Sequence, residues 1–334
     1  MAKFDPVFMS KSLYQMKVRR RPIVLSHAVN ARCNLKCTFC NQWQNSGAVP
    51  DMPFEDVCRV IDMAADFGIL MYNAWSAEPL LRKDLPEIMA YARSKGLGTM
   101  MITNGKLLKK RCGDLADVDY VSVSFDGPTA CEKLRGISAD EIIEGISCLK
   151  EQNTLRHPIL INCVLSPMNL DEAEDVVRLA RELDVKVAFE PVQQLSGTDD
   201  LTAGGLLFDQ ENGAQHRKFV SLIDRLIAMK AAGYPIIHSK TYLKRLRDDR
   251  PQIRCHIDQS ILAIDHAGDL YNCRVHDRPL GNVLETSLSD VWDRTKSARK
   301  TMRENCGGCL FFGYLENNLL LNYNIESLFG YEWL

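Results

Sequence analysis

The sequence predicts an α/β fold, a partial (β/α)6 barrel built on a parallel sheet, followed by a small C-terminal unit of β-hairpin and helix. Two observations carry the first part. Six short β-branched runs lie between Ile23 and Phe189, and helical segments with apolar residues three and four apart alternate with them. A series of strand-helix units requires parallel pairing, and the right-handed crossover rule curls it into a barrel or half-barrel. A third observation sets off the second part. Past Cys255 the pattern changes to two short strands around "DHAGDL", an amphipathic helix "SLSDVWDRTKSARKTMR" and then "CGGC".

In chain order, residues 1–22 are a lead-in. The predicted strands are Ile23–Val29, Ile69–Trp75, Thr99–Thr103, Tyr120–Phe125, Ile159–Leu165 and Val185–Phe189. Helices such as "PFEDVCRVIDMAADFG" and "LDEAEDVVRLARELDV" separate them. The stretch "QQLSGTDDLTAGGLLFDQENG" reads as a long loop, and loops of that length in compact domains are usually functional or disordered, so a lid is expected here. A helix over Gln215–Ala232 completes a barrel unit of residues 23–232. The hairpin unit takes 233–310, and an apolar, aromatic tail takes 311–334.

With 334 residues, 46% hydrophobic, the chain can bury a large core, and a formal charge of −2 argues against a chain-wide grip on nucleic acid. The basic run "KVRRRP" is local. Asp5, Lys11 and Gln15 interrupt the first apolar residues, which argues against a signal peptide, and no apolar run is long enough for a transmembrane segment. The expected compartment is the cytoplasm.

There, twelve cysteines point to metal ligation or catalysis rather than disulfides. Cys58, Cys112, Cys131, Cys148 and Cys163 are scattered and read as small core residues. The other seven form two groups. The first, in "ARCNLKCTFCNQW", places Cys33, Cys37 and Cys40 just after the first strand, where a parallel barrel gathers its functional groups. Three thiolates on one loop leave a fourth position open, which suits a 4Fe-4S cluster with one iron free for an outside ligand; a zinc knuckle is the alternative. Phe39 adds an aromatic face beside it. The second group, Cys255, Cys273, Cys306 and Cys309, is enough to ligate one cluster or one structural zinc completely.

CxxxCxxC with an aromatic before the third cysteine resembles the radical S-adenosylmethionine (radical SAM) superfamily, and the resemblance extends over roughly Ile23–Pro191. It implies a radical SAM barrel that cleaves S-adenosylmethionine reductively and abstracts hydrogen from a substrate. "WSAEPLLR" is similar to the family's Gly-Gly-Glu-Pro turn, which implies that Glu78 meets the methionine ammonium, though Ser76 and Ala77 stand where the pattern has glycines. "ITNG" and "VSFDGP" are similar to family strand ends, which nominates Asn104, Ser124 and Asp126 toward the cosubstrate. "LRGIS" nominates Arg135 for the methionine carboxylate and "INCVLSPMN" nominates Asn162 for the ribose. The C-terminal spacing, with "LGNVLETSLSDVWD" between its halves, resembles the SPASM or twitch auxiliary-cluster extension. Four cysteines favour the shorter twitch form, similar to an enzyme of that type that oxidises an alcohol to a ketone, with one auxiliary cluster as electron acceptor.

The resemblance therefore implies two 4Fe-4S clusters, one SAM-binding and one auxiliary, with S-adenosylmethionine and an external electron donor such as a flavodoxin or ferredoxin. Residues able to meet a substrate at the barrel mouth are Tyr72, Trp75, Glu190, Gln193, Arg274 and His276. The substrate class stays open between a small molecule, a lipid-like molecule and a peptide. The segments "FMSKSLYQMKVRRR" and "LFFGYLENNLLLNYNIESLFGYEWL" read first as elements closing the barrel ends and second as a peripheral membrane contact. Against the enzyme stands a non-catalytic zinc- or iron-sulfur-binding protein, which would need no acid beside a three-cysteine site.

Overall fold

In the computed structural model, residues 6–45, 50–75, 77–193, 205–208, 213–248, 253–273, 275 and 278–330 are described. The chain enters through α1 (Pro6–Leu13) and a π-helical turn at Tyr14–Arg19. Then come β1 (Val24–Ala28), α2 (Phe54–Phe67), β2 (Met71–Trp75), α3 (Leu85–Ser94), β3 (Gly98–Thr103), α4 (Leu108–Arg111) and β4 (Tyr120–Ser124). After these follow α5 (Ala130–Arg135), α6 (Ala139–Gln152), β5 (Leu160–Leu165), α7 (Ala173–Glu182), β6 (Lys186–Pro191), α8 (Gly213–Ala231) and α9 (Lys240–Arg247). The C-terminal third holds β7 (Ile261–Ile264), β8 (Asp269–Tyr271), β9 (Pro279–Asn282), α10 (Leu288–Arg294), α11 (Lys296–Glu304), α12 (Phe312–Leu321) and α13 (Ile325–Gly330). All six predicted strands form within two residues of their expected ends.

They pair in parallel and in sequence order, and the side chains sort by the two-residue period of a strand. Leu25, Tyr72, Met101, Val121, Val123, Ile161 and Phe189 are buried in the apolar core against the helices. The alternate positions, Ser26, Asn73, Ser122, Ser124, Asn162 and Glu190, form the other face, which is polar. The helices match the core face. In α2, Val57, Val60, Ile61, Ala64 and Phe67 are buried at helical spacing, each larger one contributing roughly 1.5–3 kcal/mol on full burial. Gly68 ends that helix at φ +98°, where a Cβ would sit 2.7 Å from Gln15 Nε2; Gln15 donates to Phe67 O and locks the lead-in onto this turn.

The hairpin unit is not a separate layer. β7 pairs in parallel with β1, Val24 opposite Ile261 through His27 opposite Ile264, and the full sheet runs β6-β5-β4-β3-β2-β1-β7-β8-β9. The segment after α8 also touches the barrel. Ile236 bridges Val187 of β6, and Tyr242 Oη donates to the Phe189 carbonyl at 2.8 Å, so 233–247 packs on the barrel. Two of the scattered cysteines are more than core filler: Cys112 and Cys148 form a disulfide between the turn after α4 and α6, while Cys131 and Cys163 are buried thiols and Cys58 is half-buried. The expected lid falls mostly outside the described residues; within it, Leu206 is buried with Ala130, Leu134 and Val192.

A buried charge brace ties the added strands to the barrel. Asp258, just before β7, is 1% exposed and ion-paired with Arg303 of α11, and Arg299 Nε lies 3.9 Å from the same carboxylate. Arg299 stacks on Trp292, whose ring meets Phe67 of α2 edge-on at 5.6 Å. Asp258→Ala would strand two arginines with no partner carboxylate, and we expect it to lower unfolding free energy by about 3 kcal/mol. Urea unfolding of the two proteins checks this; an unchanged midpoint would mean the brace carries no net stability.

Candidate active site

β1 ends at Ala28, and residues 29–41 carry Cys33, Cys37 and Cys40 across the C-terminal end of the sheet. Side chains from the next strand shape that loop. Arg82, 2% exposed, donates to the carbonyls of Val29 at 2.7 Å and Met52 at 2.9 Å while pairing with Asp84. Asn30 Nδ2 donates to Glu78 O, and Glu78 N donates to Arg32 O. From the other side, Thr38 N donates to Leu134 O. The motif is therefore clasped by β2's exit turn and by α5.

That exit turn is where the resemblance placed glycines. Ser76 lies outside the described residues, and Ala77 takes φ +40°, a left-handed backbone that costs an alanine roughly 1–2 kcal/mol. Glu78 also has partners within the protein. It is fully buried, Oε1 accepting from Leu80 N and Thr103 Oγ1 and Oε2 from Asn104 N. Burial nevertheless pushes its carboxyl up to about 7, against those donors. The side chain thus braces the ends of β2 and β3, and the turn backbone is what remains to face a ligand. Asn104 closes the same circuit: its Nδ2 donates to Asn34 Oδ1 at 2.8 Å and lies 3.8 Å from Cys33 Sγ, so it supports the cysteine loop.

Asp126 and Arg135 also meet each other first. Asp126, fully buried, accepts from Arg135 Nε at 2.7 Å and Nη2 at 3.0 Å, and from Val164 N. Burial works against the guanidinium's charge, but Asp126 outweighs it and holds the pKa above its ordinary value. The Arg135 guanidinium lies 5.0 Å from the centroid of the Phe39 ring, a cation–π contact that fixes the aromatic inside the cysteine motif. Arg135 therefore acts as a support of Phe39 rather than as a free cation.

Ser124, at the end of β4, sits opposite Asn162, within β5. Asn162 Nδ2 donates to Glu190 Oε1 at 2.9 Å, whereas its buried Oδ1 has no protein donor. An orphaned acceptor on the polar face fits a hydroxyl-bearing cosubstrate. Tyr72 faces the core, fully buried and bonded to His27, so it is not a mouth residue. Trp75 is half-buried at the end of β2. Arg274 and His276 lie outside the described residues.

Glu190 and Gln193 have a part that sequence reading missed. Glu190 Oε2 accepts from Phe312 N and Gln193 Oε1 accepts from Leu310 N, so the end of β6 grips the chain directly after "CGGC". Only the fold brings these segments together; their separation in sequence hides the pairing.

The thiols gather in two sets. Burial pushes Cys37 up to about 11, with Cys40 and Cys33 adding to the shift and Arg135 opposing it; Cys33 and Cys40 are raised by burial too. In the second set, Cys306 raises its neighbour Cys255, and Cys309 is pushed up to about 12 by burial, then by Cys273 and Cys306. Among the described residues no three Cys, His, Asp or Glu side chains are close enough for a single metal ion. An iron-sulfur cube spreads its thiolates wider, and all-sulfur donor sets of three and four, buried or half-buried, suit such cubes. Asn318 Nδ2, 3.7 Å from Cys255 Sγ, and Gly308 N, 3.4 Å from Cys306 Sγ, supply the amide donors that such sulfurs accept.

Residues 29–180 match the radical SAM superfamily, and residues 255–310 match an iron-sulfur cluster-binding domain, SPASM. The chain carries a radical SAM domain. This radical SAM protein is 30% identical over 171 residues to a probable GTP 3',8-cyclase of Metallosphaera sedula, covering 49% of the chain and 52% of that relative. The chain thus spans about half the length of that cyclase. It is 23% identical over 314 residues to the PqqA peptide cyclase of Granulibacter bethesdensis, covering 86% of this chain and 79% of the other. Its fold resembles Streptococcus suis SuiB bound to S-adenosylmethionine (TM-score 0.64, 19% identity, 87% of this chain and 72% of that one). It also resembles anSMEcpe with bound AdoMet (0.63, 16%, 84% and 82%). The two matched domains imply 4Fe-4S clusters and S-adenosylmethionine as cofactors.

If Arg135 works through Asp126 and Phe39, Arg135→Leu should destabilise the enzyme by about 3 kcal/mol, because it leaves a buried carboxylate unpaired. The double variant Asp126→Asn/Arg135→Leu should recover part of that loss. Thermal unfolding in the absence of S-adenosylmethionine measures both; a single variant as stable as the parent would break this reading.

Proposed function

We propose that this radical SAM enzyme holds a polar substrate against the concave face of β1–β6, removes one of its hydrogen atoms, and yields an oxidised or newly bonded product. The carrying observation is the clamp from Glu190 and Gln193 to the chain after Cys309, which brings the second cysteine set to the end of the polar face. When bound, the clusters supply the electron that splits S-adenosylmethionine into methionine and a 5'-deoxyadenosyl radical, and they take up the electron that the substrate gives back.

This chain's own residues position and seal. Cys33, Cys37 and Cys40 would hold the cluster that binds S-adenosylmethionine. Glu78 braces the turn that faces the methionine end, Arg135 steadies Phe39 beside it, and Ser124 and Asn162 offer a hydroxyl and an amide oxygen to the cosubstrate's sugar. Cys255, Cys273, Cys306 and Cys309 complete the auxiliary site. Similarity to a PqqA peptide cyclase over most of the chain favours a peptide segment as substrate over a small or lipid-like molecule. The electron donor is proposed to be a flavodoxin or ferredoxin of the cytoplasm.

Anaerobically reconstituted parent should hold about eight irons, two clusters of four. Cys33→Ala, Cys37→Ala or Cys40→Ala should abolish 5'-deoxyadenosine formation with dithionite. Cys273→Ala should keep about four irons and still form 5'-deoxyadenosine, yet release no oxidised product. Zinc in the anaerobically purified parent, or a folded four-iron Cys273→Ala variant with parental product yield, would overturn the proposal.

A further inference from the structure

Ten large apolar side chains are exposed among the described residues, and eight of them lie on the two terminal segments. The other two, Ile102 and Met168, belong to the end of β3 and the turn after β5. On the lead-in, Val7, Tyr14 and Val18 recur at helical spacing on the outward side, with Leu13 beside them. At the C-terminus, Tyr323, Ile325 and Phe329 are exposed by 72–81%. The two segments form one surface: Lys17 Nζ donates to Leu321 O at 2.9 Å and lies 3.9 Å over the Tyr323 ring.

The charge on this surface has one sign. Between residues 6 and 22 there are five basic side chains and no acidic one, and Lys11, Arg19 and Arg20 are exposed. Of the tail's acids among the described residues, Glu316 is buried and accepts from Ser239 N, while the half-buried Glu326 accepts from Lys240 N and Thr241 N. A contiguous apolar patch of this kind needs a partner, and a basic rim selects an anionic one. A second copy of the chain would set cation against cation.

We propose that this composite surface docks the enzyme onto an anionic lipid bilayer, the apolar side chains entering the interface and the basic ones meeting headgroups. No helix among the described residues is long and apolar enough to cross a membrane, so the contact is interfacial. The lead-in is locked by Gln15 to the turn before β2, at the end of the strands away from the cysteine loop. Docking there leaves the barrel mouth open to solvent.

Vesicle flotation of the full chain tests the proposal directly. Binding to phosphatidylglycerol vesicles should exceed binding to phosphatidylcholine vesicles at least tenfold and fall steeply between 0.05 and 0.5 M salt, roughly as screening of surface charge requires. Lys11→Gln/Arg19→Gln/Arg20→Gln should weaken anionic binding roughly a hundredfold, near fivefold for each charge. Val18→Ser/Phe329→Ser should release the protein from both vesicle types, with the thermal midpoint unchanged. Equal binding to neutral and anionic vesicles, salt-independent binding, or no binding would overturn the proposal. So would a Val18- and Phe329-dependent dimer in sedimentation without vesicle binding. The salt series on the parent decides the matter without any variant.

Discussion

The pairing of β7 with β1 is the constraint on which both cysteine sites depend. Val24 through His27 hydrogen-bond to β2 on one side and to Ile261 through Ile264 on the other, so β1 is a central strand of the nine. One end of β1 opens into the loop of Cys33, Cys37 and Cys40. β7 leads into the hairpin that ends at Cys273, and Cys255 lies just before it. A one-residue slip would turn every side chain of the strand to the other face, and here Leu25 and Leu262 are both fully buried. The relative placement of the two thiolate sets is therefore held by backbone hydrogen bonds and core packing. It does not rely on the clusters themselves.

Charges buried around this frame are all committed to partners, and that decides what they can do. Glu78, Asp126, Arg135, Arg82 and Asp258 would each be costly alone in an apolar interior. Each is matched by several donors or by an opposite charge, and each match crosses from one element to another: β2 to β3, β4 to α5, β2's exit to β1's loop, β7's entry to α11. Polar groups on the other face of the sheet are of a different kind. Asn162 Oδ1 and Asn73 Oδ1 are neutral and lack a protein donor. Rigid ionic braces behind, with neutral unsatisfied amides in front, give a site that is fixed in shape and still has hydrogen-bonding capacity to offer.

What could be read from the sequence follows the reach of each interaction. Cys33, Cys37 and Cys40 are neighbours on one loop, so their spacing alone carried the chemistry, and the six strands were legible because each buries a full apolar face. Glu78 was recognisable by its turn, but its hydrogen bonds were not, because its partners Thr103 and Asn104 sit at the end of another strand. The packing of residues 233–247 on the barrel is silent for a similar reason: it shows in one bridge at Ile236 and one tyrosine hydroxyl. Such a contact has no period to read. The joining of β7 to β1 and the gripping of Leu310 and Phe312 by β6 are equally silent in the sequence.

The C-terminal tail shows how far one element can serve several of these demands. α12 begins where Glu190 accepts from Phe312 N, runs past the auxiliary cysteines with Asn318 against Cys255, and ends where Leu321 O receives Lys17. Its buried residues, Leu315, Glu316 and Leu319, face α9 and the barrel, so the helix cannot shift without disturbing the Ser239 cap contact made by Glu316. A load on the exposed terminal surface is thus carried along a packed, hydrogen-bonded helix to the sulfur of Cys255 and to the polar face at Glu190. Connection of this kind makes the termini part of the catalytic framework, and it explains why the apolar residues inward on α12 are packed while those beyond it, at Tyr323 and Ile325, are left for the outside.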